Sequence, residues 1–153
     1  MKVLSQSIKH FFMNQGYVIV SSIDSNGSIS NSCKGIVRID SEGRVYLLDL
    51  YHGRTSKNLN LNSNISITAI DEHKFMGYCL QGRAHIIKKS DISPEIVKAW
   101  EERITSRLTK RLIKNIKEEK GHPRHPEIML PEPRYMIMME VQEIIDLTPQ
   151  HLK

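Results

Sequence analysis

Apolar positions recur along the chain with two different periods, and each change of period marks a change of element. Tyr17–Ile23 (YVIVSSI), Ile36–Ile39, Val45–Leu50 and Ile65–Ile70 are short runs rich in Val, Ile and Leu, as strands are. The clearest alternation lies within Phe75–Lys88. There Met76, Tyr78, Leu80, Gly82, Ala84 and Ile86 share one face, and Gly77, Cys79, Gln81, Arg83 and His85 the other. Arg134–Leu147 (RYMIMMEVQEIIDL) predicts a last long strand, with its methionines as core filler. Helical spacing replaces this alternation twice. Leu4, Ile8, Phe11 and Phe12 predict an amphipathic helix over residues 3–14, stopping near Gly16. Ser93-Pro94-Glu95 is a helix start, and Val97, Trp100, Ile104, Leu108, Leu112 and Ile116 carry the stripe to about Lys120, before Gly121.

Turn signals join the strands. Asp24-Ser25-Asn26-Gly27, Asp40-Ser41-Glu42-Gly43 and Asp71-Glu72-His73-Lys74 are too short for parallel crossovers, so neighbouring strands run antiparallel. Glu127–Pro133 reads as a connection. About six strands with flanking helices predict a mainly β protein, a six-stranded antiparallel barrel whose closure removes exposed edges. At 153 residues, 39% hydrophobic and 25% charged, the chain is expected to be one domain over residues 1–153. No apolar run approaches the roughly 18 to 20 residues of a membrane span, and MKVLSQSIKHFF lacks a signal-peptide core. A cytoplasmic location without membrane contact is the expectation. Cys33 and Cys79 fall on separate strands and are expected to be reduced thiols.

Candidate chemistry concentrates in Arg44–Asn64 (RVYLLDLYHGRTSKNLNLNSN). A buried strand over Val45–Leu50 runs into Tyr51-His52-Gly53, and Arg54-Thr55-Ser56-Lys57 opens a short helix. The first amides of a helix lack internal partners and carry the positive end of its dipole, so a phosphate placed there meets ready donors. Thr55 and Ser56 can add hydroxyl donors, and Arg54 and Lys57 charge-assisted bonds. The plainer alternative is that Thr55 is only a cap and both cations are solvated. A formal charge of +5 and a pI near 9.2 suggest anionic partners, whether a phosphate-bearing cofactor or a nucleic acid. Arg103, Arg107, Lys110, Arg111, Lys114 and Lys117 make the long helix basic opposite its apolar stripe, which reads as a solvated face before a nucleic-acid surface. Single-strand binders usually pair such charge with aromatic platforms, and this helix offers only Trp100, on its apolar stripe. His122 and His125 sit in a proline-rich loop with no Cys or carboxylate cluster, so no metal site is expected. GxGxxG after the first strand, GxxxxGK[ST], HExxH and GxSxG are all absent.

In order along the chain, the first helix, YVIVSSIDSNG, NSCKGIVRIDSEG, VYLLDLYHGRTSKNLNLN, ISITAID, FMGYCLQGRAHII, the basic helix and RYMIMMEVQEIIDLTP form a recognisable set. Together they resemble the pyridoxamine 5'-phosphate oxidase-like family of FMN-binding split barrels, over nearly the whole chain. The resemblance implies a homodimer that binds FMN at the subunit interface and acts as an oxidoreductase on a small substrate. Carried over by position, Arg54, Thr55, Ser56 and Lys57 would hold the phosphate, and replacing Lys57 would weaken retention. Leu48 and Asp49 would approach the cofactor from the central strand, and Asn31, Ser32, Cys33 and Lys34 from its neighbour. Ser32 and Lys34, or backbone amides, would stabilise the reduced ring, and no base or nucleophile stands out as catalytic. The chain departs from the family's oxidases at Met76-Gly77, where they carry Arg-Gln. Their Arg-x-x-x-x-Lys signature is missing on the second strand, and so is their C-terminal Arg and His pattern in EVQEIIDLTPQHLK. The substrate is therefore left open. A non-enzymatic module on the same barrel, binding a haem-like or phosphorylated ligand, or nucleic acid through the basic helix, is the alternative.

Overall fold

A computed structural model describes residues 1–50, 53–119, 121–124 and 132–153. The expected turn at Tyr51-His52, the loop histidine His125 and most of the connection Glu127–Pro133 lie outside the described residues.

Six antiparallel strands close into a barrel. In chain order the elements are α1 (Gln6–Met13), β1 (Val18–Ile23), β2 (Ile29–Ile39), β3 (Arg44–Leu48), α2 (Arg54–Leu61), β4 (Asn64–Asp71), β5 (Met76–Lys88), α3 (Pro94–Ile116) and β6 (Tyr135–Asp146). Around the barrel the strands run β1-β2-β3-β6-β5-β4, and β4 pairs with β1 to complete the circle. Hairpins make β1–β2–β3 and β4–β5 neighbours. The first turn is drawn tight by Asp24, whose Oδ1 accepts from the amides of Asn26 and Ser28, both at 2.9 Å. β6 returns after α3 and fits between β3 and β5, satisfying both remaining edges.

Inward positions make one apolar core. Val20, Val45, Leu47, Ile67, Leu80, Ile137, Met139 and Val141 are fully buried, and Phe12 of α1 joins this cluster together with Leu4. A second cluster lies outside the wall, where Ile96, Trp100 and Ile104 of α3 cover Val37 and Met136, with Tyr46 and Leu48 packed alongside. β3 is thus covered on both faces, its inward side chains more deeply than its outward ones. Two of the β6 methionines, Met136 and Met139, fill these separate clusters, one on each face of the strand.

Several boundaries differ from those the sequence predicts. α1 begins at Gln6 because Lys2 is committed to the sheet, its amide donating to the Val141 carbonyl, and Ser5 caps the helix through Ile8 N at 3.3 Å. β3 ends at Leu48, two residues early, since Asp49 is turned to side-chain partners. α3 stops at Ile116 rather than near Lys120. Glu118 takes a positive φ of 67°, and the amides of Glu118 and Glu119 return to the carbonyls of Asn115 and Lys114, a Schellman closure made without glycine. Gly121 instead donates its amide to the Asn115 side chain. The apolar stripe of α3 also outlasts its support: Leu112 and Ile116 are 62% and 74% exposed.

At Gly82 the register of β5 against β6 shifts, and a Cβ there would press on the Glu140 carbonyl and on the Met139 side chain. Gly82→Ala is expected to destabilise the barrel by about 2–3 kcal/mol, seen as a lower denaturant midpoint at unchanged slope.

Candidate functional site

Strand register builds the site. Gly35 of β2 lies opposite Leu48 of β3, and Leu48 lies opposite Met136 of β6. One step further toward the same end of all three strands brings Lys34, Asp49 and Tyr135 into a row. Lys34 Nζ lies 2.8 Å from Asp49 Oδ1, and the Tyr135 hydroxyl donates to Asp49 Oδ2 at 2.5 Å. All three residues are buried. Burial pushes the Tyr135 phenol well above its ordinary range, the bond to Asp49 and the charge of that carboxylate push it further, and Ser56 acts weakly in the other direction. Tyr135 is therefore a neutral donor that holds its proton.

A cleft of about 240 Å³ opens beside this row. Asn31, Ser32, Cys33 and Lys34 enter it from β2, Leu48 and Asp49 from the end of β3, and Gly53, Arg54 and Thr55 from the start of α2. Gly53, not Thr55, is the N-cap of α2, and no side chain caps that end. Thr55 is buried and its Oγ1 lies 3.0 Å from Ser32 Oγ, tying the helix start to β2. Two further residues come from distant parts of the chain. Arg107 of α3 stands 4.5 Å over the ring of Tyr17, a cation–π contact that closes one end of the cleft. A Cβ on Gly35 would meet its guanidinium at 2.8 Å, so the glycine leaves the room Arg107 occupies. Since Lys34 and Asp49 cancel, Arg54 and Arg107 leave the lining with a positive excess.

Of the residues proposed from sequence, Arg54, Thr55, Leu48, Asp49, Ser32, Cys33 and Lys34 meet at this cleft. Ser56 and Lys57 do not line it. Ser56 is buried and donates to the Gly53 carbonyl at 3.0 Å, and Lys57 is exposed. The Lys34 ammonium, expected to be a donor to a bound ring, lines the cleft and is also paired with Asp49. Tyr17, Arg107 and Tyr135 escaped sequence reasoning. Arg107 stood among six basic helix positions, and nothing local set it apart. A larger cleft of about 330 Å³ over Ser21, Ile65 and Gln81 has no cationic side chain among its described lining residues. The start of α2 standing beside a cation and two hydroxyls, not volume, therefore selects the candidate site. Among the described residues no three His, Cys, Asp or Glu side chains gather as metal ligands.

The sequence profile of pyridoxamine 5'-phosphate oxidase matches residues 4–138. The chain belongs to the pyridoxamine 5'-phosphate oxidase family. Solved structures of similar fold include HupZ of Group A Streptococcus, with 18% identity over 95% of this chain and 94% of that one at a TM-score of 0.66. A protein related to general stress protein 26, of the pyridoxinephosphate oxidase family from Clostridium acetobutylicum, shares 15% identity over 96% and 95% at 0.57. HutZ of Vibrio cholerae, described as a heme storage protein, shares 16% over 94% of each chain at 0.54. No curated protein matches the sequence. The Met76-Gly77 departure from the family's oxidases falls at the start of β5, paired with Asp71 and Ile70, and neither residue lines the cleft. No helix among the described residues is long and apolar enough to cross a membrane.

Two outcomes follow from the buried row. Lys34→Met leaves Asp49 buried without its cation and is expected to cost about 3–5 kcal/mol of stability, measured by denaturant unfolding. Tyr135 has a folded-state pKa above its unfolded value of about 10, so its contribution is complete below that pH and is lost as pH rises through the folded value. Wild-type stability should fall from about pH 10 upward, more steeply than that of Tyr135→Phe, which has no phenol to ionise.

Proposed function

We propose that the protein binds FMN in the cleft at the start of α2, as a homodimer, and serves as a flavin-dependent oxidoreductase toward a small substrate. What carries this reading is the meeting of Arg54, Thr55, Ser32 and the uncapped start of α2 in one positively charged cleft. The donor set suits a phosphate monoester: helix amides, a pair of hydroxyls and a guanidinium able to bind two oxygens at once. The size of the cleft supports the second copy. At about 240 Å³ it falls below the range for enclosing a whole organic ligand, roughly 300 Å³ and upward. One chain can seat the phosphate end, and a neighbouring subunit would cover the exposed part of the ring.

Bound FMN would supply the redox chemistry, and the chain supplies position and field. Arg54 and Thr55 would hold the phosphate, Ser32 keeps Thr55 in place, and Asn31 to Lys34 of β2 would lie along the rest of the cofactor. Lys34 and Asp49 act as a neutral pair, so the wall beside the ring is polar without adding net charge. Tyr135, keeping its proton, fixes the Asp49 carboxylate from behind. Arg107 closes the end of the cleft nearest Tyr17.

A second reading, non-enzymatic binding or storage of a haem-like ligand on the same barrel, draws on the likeness to HutZ. Nucleic-acid binding through α3 has less support, because Trp100 is buried against the barrel and cannot stack on bases.

Purified protein should be yellow, and denaturation should release a compound with the absorption and mass of FMN. An intense haem band in place of the flavin bands would overturn the proposal in favour of the second reading. Arg54→Ala should weaken FMN retention by about 1.5–3 kcal/mol, the range for a charged hydrogen bond, and by more than Lys57→Ala. Unchanged retention in Arg54→Ala would remove the phosphate assignment.

A further inference from the structure

A second cationic cleft, of about 650 Å³, lies between α2 and the place where β5 ends and β6 begins. Its inner surface is formed by Leu59, Ile86, Ser56 and the ring of Tyr135, all buried or half-buried. His85, Lys88 and Arg134 stand exposed around it. None of its described lining residues carries a carboxylate. The nearby acid Glu132, two positions before Arg134, has its charge paired with Lys89 at 2.9 Å. Two permanent cations and an imidazole over an apolar floor are a poor surface for a cationic molecule and give a neutral one no use of the charged rim. An anion with a small apolar body is favoured there twice, by charge at the rim and by burial of its body on Leu59 and Ile86.

The two clefts have one buried row between them. Tyr135 and Ser56 line the second, Lys34 and Asp49 line the first, and the Tyr135–Asp49 hydrogen bond of 2.5 Å joins them. The register that makes this row continues to Lys88, which lies opposite Tyr135 on β5. A charge arriving beside Lys88 and Tyr135 changes the field on the phenol, and through it the carboxylate that Lys34 holds.

We propose that this second cleft binds a small aryl or alkyl anion, a carboxylate or a phosphate ester, and transmits its occupancy to the first cleft through Tyr135. The proposal stands independently of which cofactor the first cleft takes.

The test is a titration of isotope-labelled protein, as purified, with benzoate, phenyl phosphate and inorganic phosphate, followed by backbone amide resonances. Benzoate or phenyl phosphate should give saturable shifts at Asn60, His85 and Ile86, with affinity at least tenfold above that of inorganic phosphate. Binding of benzoate would identify a carboxylate ligand, and binding of phenyl phosphate alone a phosphate ester; either supports the site. The exposed-residue variant Lys88→Gln/Arg134→Gln should lose at least tenfold in affinity. In the wild type the amides of Lys34 and Asp49 should shift in step, and Tyr135→Phe should abolish those distant shifts while keeping the ones at Asn60 and His85. Shifts confined to Ser32–Lys34 and Thr55, equal affinity for inorganic phosphate, or unchanged binding by the double variant would overturn the site. Persistence of the Lys34 and Asp49 shifts in Tyr135→Phe would overturn the transmission.

Discussion

A cation, an anion and a neutral phenol lie side by side at the end of three neighbouring strands, and much of the molecule is arranged to keep them there. Removing Lys34 and Asp49 from water is costly, and their attraction offsets that cost only while the geometry holds and the remaining carboxylate oxygen has a donor. Tyr135 is that donor. A slip of one residue between β2 and β3, or between β3 and β6, would send one member of the row to the opposite face. The row therefore specifies register as well as contributing energy. Its placement beyond Leu48 also explains why β3 ends there: the Asp49 side chain is taken up by partners on both flanking strands.

Around this fixed point the helices divide the wall into two surfaces. α2 leaves the sheet just after Asp49 and presents its first turn to one cleft and Ser56 and Leu59 to the other. The Ser32–Thr55 contact and the buried bond from Asn58 Nδ2 to Ser22 Oγ at 3.0 Å hold the helix at two points along the sheet. α3 supports the same region from outside. Arg103 donates to the carbonyls of Met13 and Gln15, at 2.6 and 3.0 Å, so the end of α1 fixes the rotation of α3. One turn further on, that rotation sets Arg107 over Tyr17. A contact at one end of the barrel thus determines where a positive charge stands in the first cleft.

The strands, the antiparallel order and the short turns were legible in the sequence because period-2 patterning and Asn-Gly or Glu-Gly turns are local signals. The barrel followed from counting strands that had no room for crossovers. The start of α2 was legible for the same reason, since a hydroxyl and cation cluster after an apolar run is visible without tertiary knowledge. What register alone creates was not. Lys34 and Asp49 could be named as neighbours of the cleft, but their pairing, and the entry of Tyr135 from the far end of the chain, depend on which residues lie opposite each other on three strands. Arg107 was hidden among other basic residues, and only the rotation of α3 distinguishes it. The end of α3 was overestimated because its apolar spacing continues past the last residue that touches the barrel, while Glu118 makes a turn more usual for glycine.

The sole tryptophan of the chain lies within the seam between α3 and the barrel, not in the barrel core. Its indole is shielded by Val37 and Met136 on one side and by its own helix on the other. Intrinsic fluorescence of this protein is consequently a gauge of α3 docking: the emission would redden when the helix lifts, even with all six strands still paired. Optical and calorimetric melting curves would then separate whenever the outer helix releases before the sheet opens.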